Sequence, residues 1–228
     1  MSWTILLIIV GIFAVVVGIV MAVHKYEQAR SEKLRTIAEE MGLDFYPKGD
    51  PSLEQLLSLF RLFQQGHGRK VKNLISGQSD DIDLAIFGYR YNTGGGQHQQ
   101  THQQTVISFQ SPNLTLPEFE LRPEHLFHKI GQAFGSQDID FDTHPEFSQS
   151  YLLRGPDEDA IRELFVPDKL EFFEAREGAF LEANNDRLIY YLAGKRVKPE
   201  EIRKFMEEGF EIYGLFKTTP DKNSGDEV

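Results

Sequence analysis

The pattern of apolar and polar positions divides the chain at residue 24. Thr4 to Val23 (TILLIIVGIFAVVVGIVMAV) is a run of twenty residues without a charge. As an α-helix it spans about 30 Å, the thickness of a bilayer's hydrocarbon core. A helix satisfies its own backbone in lipid, so even this β-branched run is expected to be helical. A cleaved signal peptide carries a basic leader, a shorter apolar segment and a small-x-small cleavage site; none of these is present. Trp3 and Tyr26 flank the run, where half-wet rings suit the headgroup belt. HKYEQARSEKLRTIAEEM then keeps a helical period. Leu34, Ile37, Ala38 and Met41 form its apolar stripe, and Gly42 is a natural stop.

Past Gly42 the pattern alternates between short strands and short helices. LDFY reads as a strand, and Asp50-Pro51 opens a helix over LEQLLSLFRLF with a cap and a first-turn proline. From Val71 the period falls towards two. VKNLISG, IDLAIFGYRYN, QTVISFQS and the segment around FELR read as an antiparallel meander. In the second of these, Ile82, Leu84 and Ile86 oppose Ala85, Phe87, Tyr89 and Tyr91, which predicts a central strand covered on both faces. Pro117 predicts a bulge or an edge position. A helix follows Pro123 (EHLFHKIGQAF), then a loop or short strand at DIDFD and a strand near FSQSYLLRG. DEDAIRELF and KLEFFEA start as helices behind Pro156-Asp157 and Pro167-Asp168. FLEA and RLIYYLAG form a hairpin across Asn184-Asn185-Asp186, and Pro199 starts the last helix.

The fold class is therefore α+β: an N-terminal transmembrane helix, then a largely antiparallel sheet with helices packed on it. The expected divisions are residues 1–3 as a short extracytoplasmic N-terminus, 4–23 as the span and 24–42 as a juxtamembrane helix. Residues 43–217 make the soluble domain, with a split into lobes 43–122 and 123–217 left open, and 218–228 are expected to form a disordered tail.

Charge predicts an orientation and argues against one partner class. No Lys or Arg precedes the span, whereas Lys25, Arg30, Lys33 and Arg35 follow it closely. The positive-inside rule then places the N-terminus outside and the domain in the cytoplasm. The net charge of −11 belongs wholly to the part beyond residue 24. Such a surface repels nucleic acid and anionic headgroups, and no basic stripe with interleaved aromatics offsets it. Eighteen Phe and eight Tyr supply more than one core patch. The absence of Cys fits a reducing compartment.

Candidate chemistry is sparse, and no cofactor motif is present. Asp138, Asp140, Asp142 and His144 would share one face of a strand, as hard-to-borderline ligands for Mg²⁺, Mn²⁺ or Zn²⁺. The same pattern suits an edge strand whose solvated acids block pairing. His98 and His102 lie in TGGGQHQQTHQQ, which reads as a hairpin loop. It sits in an uncharged stretch from Tyr91 to Pro117 that could serve as a contact surface. His125 and His128 read as packing or surface residues of a Phe/Leu-rich helix. In the span, Ala14, Gly18 and Ala22 share a face that would admit a second helix, giving a homodimer contact.

LTLPEFELRPEHLFHKIG, DIDFDTHPEFSQSYLLRGPDEDAIRELF and AEEMGLDF, behind a single N-terminal helix, resemble an uncharacterised family of bacterial single-pass membrane-anchored proteins with no assigned activity. The resemblance implies a bacterial inner-membrane protein and carries over no site residue. The expectation is a membrane-tethered cytoplasmic domain that binds a protein partner or scaffold. The alternative is a metal-assisted hydrolase using Asp138 to His144.

Overall fold

The computed structural model describes residues 3–124 and 138–218. Helix α1 (Trp3–Glu40) runs without a break from the apolar segment into the juxtamembrane stripe. Its apolar part is long enough to cross a membrane, and none of that stretch is buried in the protein. The helix stops where the glycine predicts. Gly42 takes φ +70°, and the N–H groups of Gly42 and Leu43 donate back to the carbonyls of Glu39 and Ala38. A left-handed glycine closes the last turn in this way at no Cβ penalty.

The strands are β1 (Asp44–Tyr46), β2 (His67–Gln78), β3 (Asp83–Thr93), β4 (Gln100–Gln110), β5 (Leu116–Pro123), β6 (Tyr151–Arg154), β7 (Ala179–Asn185) and β8 (Arg187–Leu192). They form one eight-stranded antiparallel sheet in the order β1-β2-β3-β4-β8-β7-β5-β6. The sheet draws strands from both sides of residue 122, joined where β4 pairs with β8. The expected meander therefore holds through β4 and fails at β5. After β4 the chain turns across the end of the β7–β8 hairpin: Ser111 N–H donates to the Asp186 carbonyl, and Leu114 is buried. β8 occupies the edge of β4, so β5 pairs with β7 and β6 instead. The register against β7 slips between Leu116 and Phe119, which is the bulge Pro117 requires.

β3 alternates as its sequence predicts, because the sheet has cores on both faces. Leu84 and Ile86 join α1 (Leu34, Ala38) and α7 (Ile202–Phe216) on one face. That face also carries α4 (Pro145–Ser150), α5 (Glu158–Leu164) and α6 (Pro167–Glu174). Phe87, Tyr89 and Tyr91 join Leu57, Phe60, Leu62 and Phe63 on the other.

Those last four residues explain a second departure. A single helix over 51–63 would put Phe60 and Leu62 about 200° apart, on opposite sides. The chain instead forms α2 (Pro51–Leu56), a short 3-10 turn, an extended Phe60, and α3 (Arg61–Gln64). The break lets Leu57, Phe60, Leu62 and Phe63 all face the sheet. Asp50 caps α2 by accepting the Ser52 N–H at 2.9 Å, as its sequence suggests. The strand expected near FSQSYLLRG is half helix: Pro145 starts α4, and only Tyr151–Arg154 pairs, with β5. The helix expected after Pro123, with His125 and His128, lies outside the described residues, as does the tail beyond Thr218.

Candidate functional site

Two features stand out: a stiff mount between α1 and the domain, and a charged cleft on the opposite face of the sheet. The mount begins with the stripe. Leu34 and Ala38, one helical turn apart, are buried against β2 and α7, so α1 lies on the sheet rather than leading away from it. Polar contacts lock its N-terminal side. Glu27 accepts two hydrogen bonds from Arg196, at 2.9 and 2.8 Å, and Arg30 donates to the Val197 carbonyl at 2.7 Å. Ser31 donates to the Asn73 side chain at 2.8 Å. Asn73 itself sits at φ +52° in a bulge of β2, between Lys72 and Ile75. At the far end Arg203 reaches Glu40 at 2.9 Å. The Arg196 hydrogen bond, more than any other contact, holds the Glu27 carboxyl below its ordinary pKa. No loop separates the span from the domain.

The cleft, of 660 Å³, lies between the α2–α3 segment and strands β5, β6 and β7. Its floor follows from alternation. In β5, Phe119 and Leu121 face the helical layer, so Glu120 and Arg122 face the other way; in β7, Leu181 and Ala183 do the same for Glu182. The Glu120 carboxylate accepts from Arg154 Nε at 2.8 Å and Nη2 at 2.5 Å, and lies 3.3 Å from Arg61 and 3.7 Å from Arg122. Charge-assisted pairs at these distances hold the side chains in fixed positions.

Glu182 is only 3 % exposed. It accepts the Leu62 N–H at 3.1 Å and the Tyr191 hydroxyl at 3.1 Å. Leu62 lies in the first turn of α3, where backbone donors have no helical partner. Burial first, and the nearby Glu120 second, push the Glu182 carboxyl up to about 8, so it holds its proton at neutral pH. Burial also drives the Tyr191 hydroxyl well up. The cleft thus presents fixed guanidiniums beside a neutral acid.

The metal candidates are placed differently from the shared-face expectation. Residues 138–144 form a turn-containing segment rather than a paired strand. Asp138 turns inward to accept the Leu153 N–H at 3.0 Å, and burial raises its pKa to about 6. Asp140 and Asp142 are exposed, and His144 precedes α4 with its Nδ1 on the Thr143 hydroxyl at 2.9 Å. Among the described residues, no three His, Asp or Glu side chains converge on a point that could hold a metal ion.

His102 is not in a loop either. It pairs with Tyr91 across β3 and β4, stacks on its ring at 4.7 Å, and meets the Thr93 hydroxyl at 2.8 Å. Only Gly94–Gln99, with His98, lies between the strands. The centre of the uncharged stretch is β4, whose residues Gln104 to Phe109 are buried in the middle of the sheet. Ala14, Gly18 and Ala22 are all exposed on α1.

Sequence reasoning missed the Glu120–Glu182 cleft. FELRP alternates as any half-exposed strand does, and nothing local says that its polar face is partly roofed by residues sixty positions earlier. The one signal was Glu182, a lone acid inside the apolar run AFLEA.

No family model matches the chain, and no curated protein matches it. Among solved structures, the chain is similar to the crystal structure of the mycobacterial trehalose monomycolate transport factor A, TtfA, at TM-score 0.59 and 12% identity. The match covers 84% of this chain and 98% of that one. At this identity the likeness is one of fold, and it gives the chain an α+β architecture found in a bacterial transport factor.

Proposed function

We propose that this protein is a membrane-anchored accessory module that binds a protein partner at the bacterial inner membrane, with its N-terminus outside and its domain in the cytoplasm. The observation that carries the reading is the hinge-free mount. A tethered enzyme acting on a diffusing substrate gains nothing from fixed orientation, whereas a binding face must meet its partner at a set height and angle. Tethering also raises effective concentration, so a modest interface suffices. The similar fold of TtfA, a transport factor, agrees with an accessory role.

The test is site-specific photo-crosslinking in native membranes, from a probe on the rim of the charged cleft at Gln64. The wild-type chain is expected to give a discrete adduct that is lost when a short Gly-Ser insert between His24 and Lys25 uncouples the domain. An adduct unchanged by the insert, or none at all, overturns the reading. The orientation rests on Lys25, Arg30, Lys33 and Arg35, and cysteine labelling of an introduced Thr218→Cys in intact cells tests it. A homodimer contact through Ala14, Gly18 and Ala22 is part of the same proposal. Gly18→Leu should lower dimer content in detergent, and unchanged content would remove it.

A further inference from the structure

The chain carries a net charge of −11, yet cations gather at the one place where the domain meets the end of the span. A cleft of 440 Å³ opens between the C-terminal end of the apolar run and strands β2 to β4. Val20 and Val23 form its apolar lip, and Arg30, Lys70, Lys72, Arg90 and Arg196 line its walls with Glu27 as the only carboxylate among the lining residues.

The placement follows from the strands. Val71 faces the second core, so Lys70 and Lys72 project towards α1; Phe87, Tyr89 and Tyr91 do likewise, so Gly88 and Arg90 project towards α1. Lys70 lies directly opposite Arg90 in the register, and Lys72 opposite Gly88. Like charges facing each other across a strand pair are destabilising unless an anion lies between them. Among the described residues, the ion pairs of the mount engage Glu27 with Arg196 and Glu40 with Arg203, and no carboxylate is paired with Lys70, Lys72 or Arg90. Gly88 leaves the floor between them without a side chain: a Cβ there would meet only the Lys72 carbonyl oxygen, at 3.4 Å.

Depth identifies the anion. The helix rises about 1.5 Å per residue, so Glu27 lies roughly 6 Å and Arg30 roughly 10 Å beyond Val23. The headgroup layer on each side of a bilayer is roughly 5–8 Å thick. Glu27 with its partner Arg196 therefore stands level with lipid phosphates and Arg30 at the outer edge of that layer, and the cleft they share with Lys70, Lys72 and Arg90 reaches down to Val20 and Val23 beside the acyl chains. We infer that this cleft binds the phosphate of an anionic phospholipid from the leaflet that meets the C-terminal end of the span. The site does not depend on the partner binding proposed above. Three cations without a carboxylate at ion-pair distance (Lys70, Lys72 and Arg90), an apolar lip and an open floor beside the end of the span fit a molecule that is anionic at one end and apolar at the other.

The test uses the full-length chain in a non-ionic detergent, titrated with dioleoyl phosphatidylglycerol or dioleoyl phosphatidylcholine, with bound lipid counted by native mass spectrometry. One phosphatidylglycerol per chain is expected to be retained, with phosphatidylcholine lost. Removing charge with Lys70→Gln, Lys72→Gln and Arg90→Gln should weaken retention by on the order of fivefold for each cation. Gly88→Leu, which fills the floor without changing charge, should weaken it as well. Lys204→Gln, an exposed cation elsewhere, should leave it unchanged. Equal retention of the two lipids, or full retention by the triple variant with an unaltered melting curve, overturns the site. Displacement of the lipid by excess inorganic phosphate would assign the cleft to a free anion and overturn the lipid reading.

Discussion

Replacing Glu182 by Gln should flatten the dependence of stability on alkaline pH. The unfolded chain releases this proton near the ordinary value of 4.5, and the folded chain near 8. Between those values the folded state binds more protons, so stability falls as pH rises, by about 1.4 kcal/mol per pH unit. The contribution is whole below 4.5 and has been lost once pH passes 8. Asp138 acts in the same direction but lower, its pKa being raised from 3.8 to about 6. Measurement from pH 6.5 upward therefore separates the two. Over the interval from 6.5 to 8 the wild type should lose about 2 kcal/mol, or roughly 4–8 °C in melting temperature for a domain of this size. Gln cannot ionise, and its carbonyl oxygen can still accept from the Leu62 N–H and the Tyr191 hydroxyl. The Glu182→Gln chain should accordingly melt at nearly the same temperature at both pH values and above the wild type at pH 8. Thermal unfolding of the detergent-solubilised chain, followed by circular dichroism, reads this directly. Parallel pH profiles for the two proteins would refute the claim that Glu182 is buried as a neutral acid.

Three further outcomes follow from packing and backbone. Gly66 sits at φ +56°, and a Cβ there would lie 2.0 Å from the Asn92 carbonyl oxygen; Gly66→Ala should cost at least about 2 kcal/mol, since both conformation and space oppose it. Near-wild-type melting would show that the turn into β2 relaxes freely. Phe173 is fully buried against Tyr151, Phe165 and Phe216; Phe173→Ala should lower stability by about 3–5 kcal/mol in chemical denaturation, and a loss below about 1 kcal/mol would mean the layer collapses into the void. A double-mutant cycle on Glu27 and Arg196, whose side chains are 40% and 33% exposed, should give a coupling of only about 0.5–1 kcal/mol after solvent screening. Zero coupling would show that this ion pair adds nothing to the mount, which would then rest on Leu34, Ala38 and the Arg30, Ser31 and Glu40 contacts.

Elements whose patterns are set by neighbours in sequence were legible in advance. The long helix, its stop at Gly42, the two-faced β3, the β7–β8 hairpin and the helix starts behind Asp50-Pro51 and Pro167 all depend on local spacing and caps. What depended on distant neighbours was not. The periodicity of β5 says that it is a strand but not that β8 has taken the edge of β4. The apolar residues from Leu53 to Phe63 fit a helix by count, and only the second core shows why it must break at Phe60. His102 read as a loop residue because three glycines and many glutamines precede it, yet Tyr91 stacks on it and fixes it in the sheet. The charged cleft was invisible for the same reason, since Arg61, Glu120, Arg154 and Glu182 come from four separate segments.

Net charge is a statement about the whole chain, and the sheet distributes that charge unevenly. A total of −11 predicts repulsion from anionic surfaces only if charge is spread evenly. Here the sheet sorts it. The face carrying α1 directs Lys70, Lys72 and Arg90 towards the end of the span, joined there by Arg30 and Arg196. The opposite face carries the Glu120–Glu182 cleft under the α2–α3 segment. Screening in physiological salt acts over about 8 Å, so each cleft is governed by its own lining and hardly by the total. Because α1 is clamped to the sheet without a hinge, the anchoring we propose would hold both faces at fixed places relative to the bilayer, the basic cleft towards the headgroups and the mixed-charge cleft on the face turned away from α1. If both proposals hold, one sheet meets lipid on one side and a partner on the other, and a mutation that weakens one contact should leave the other intact.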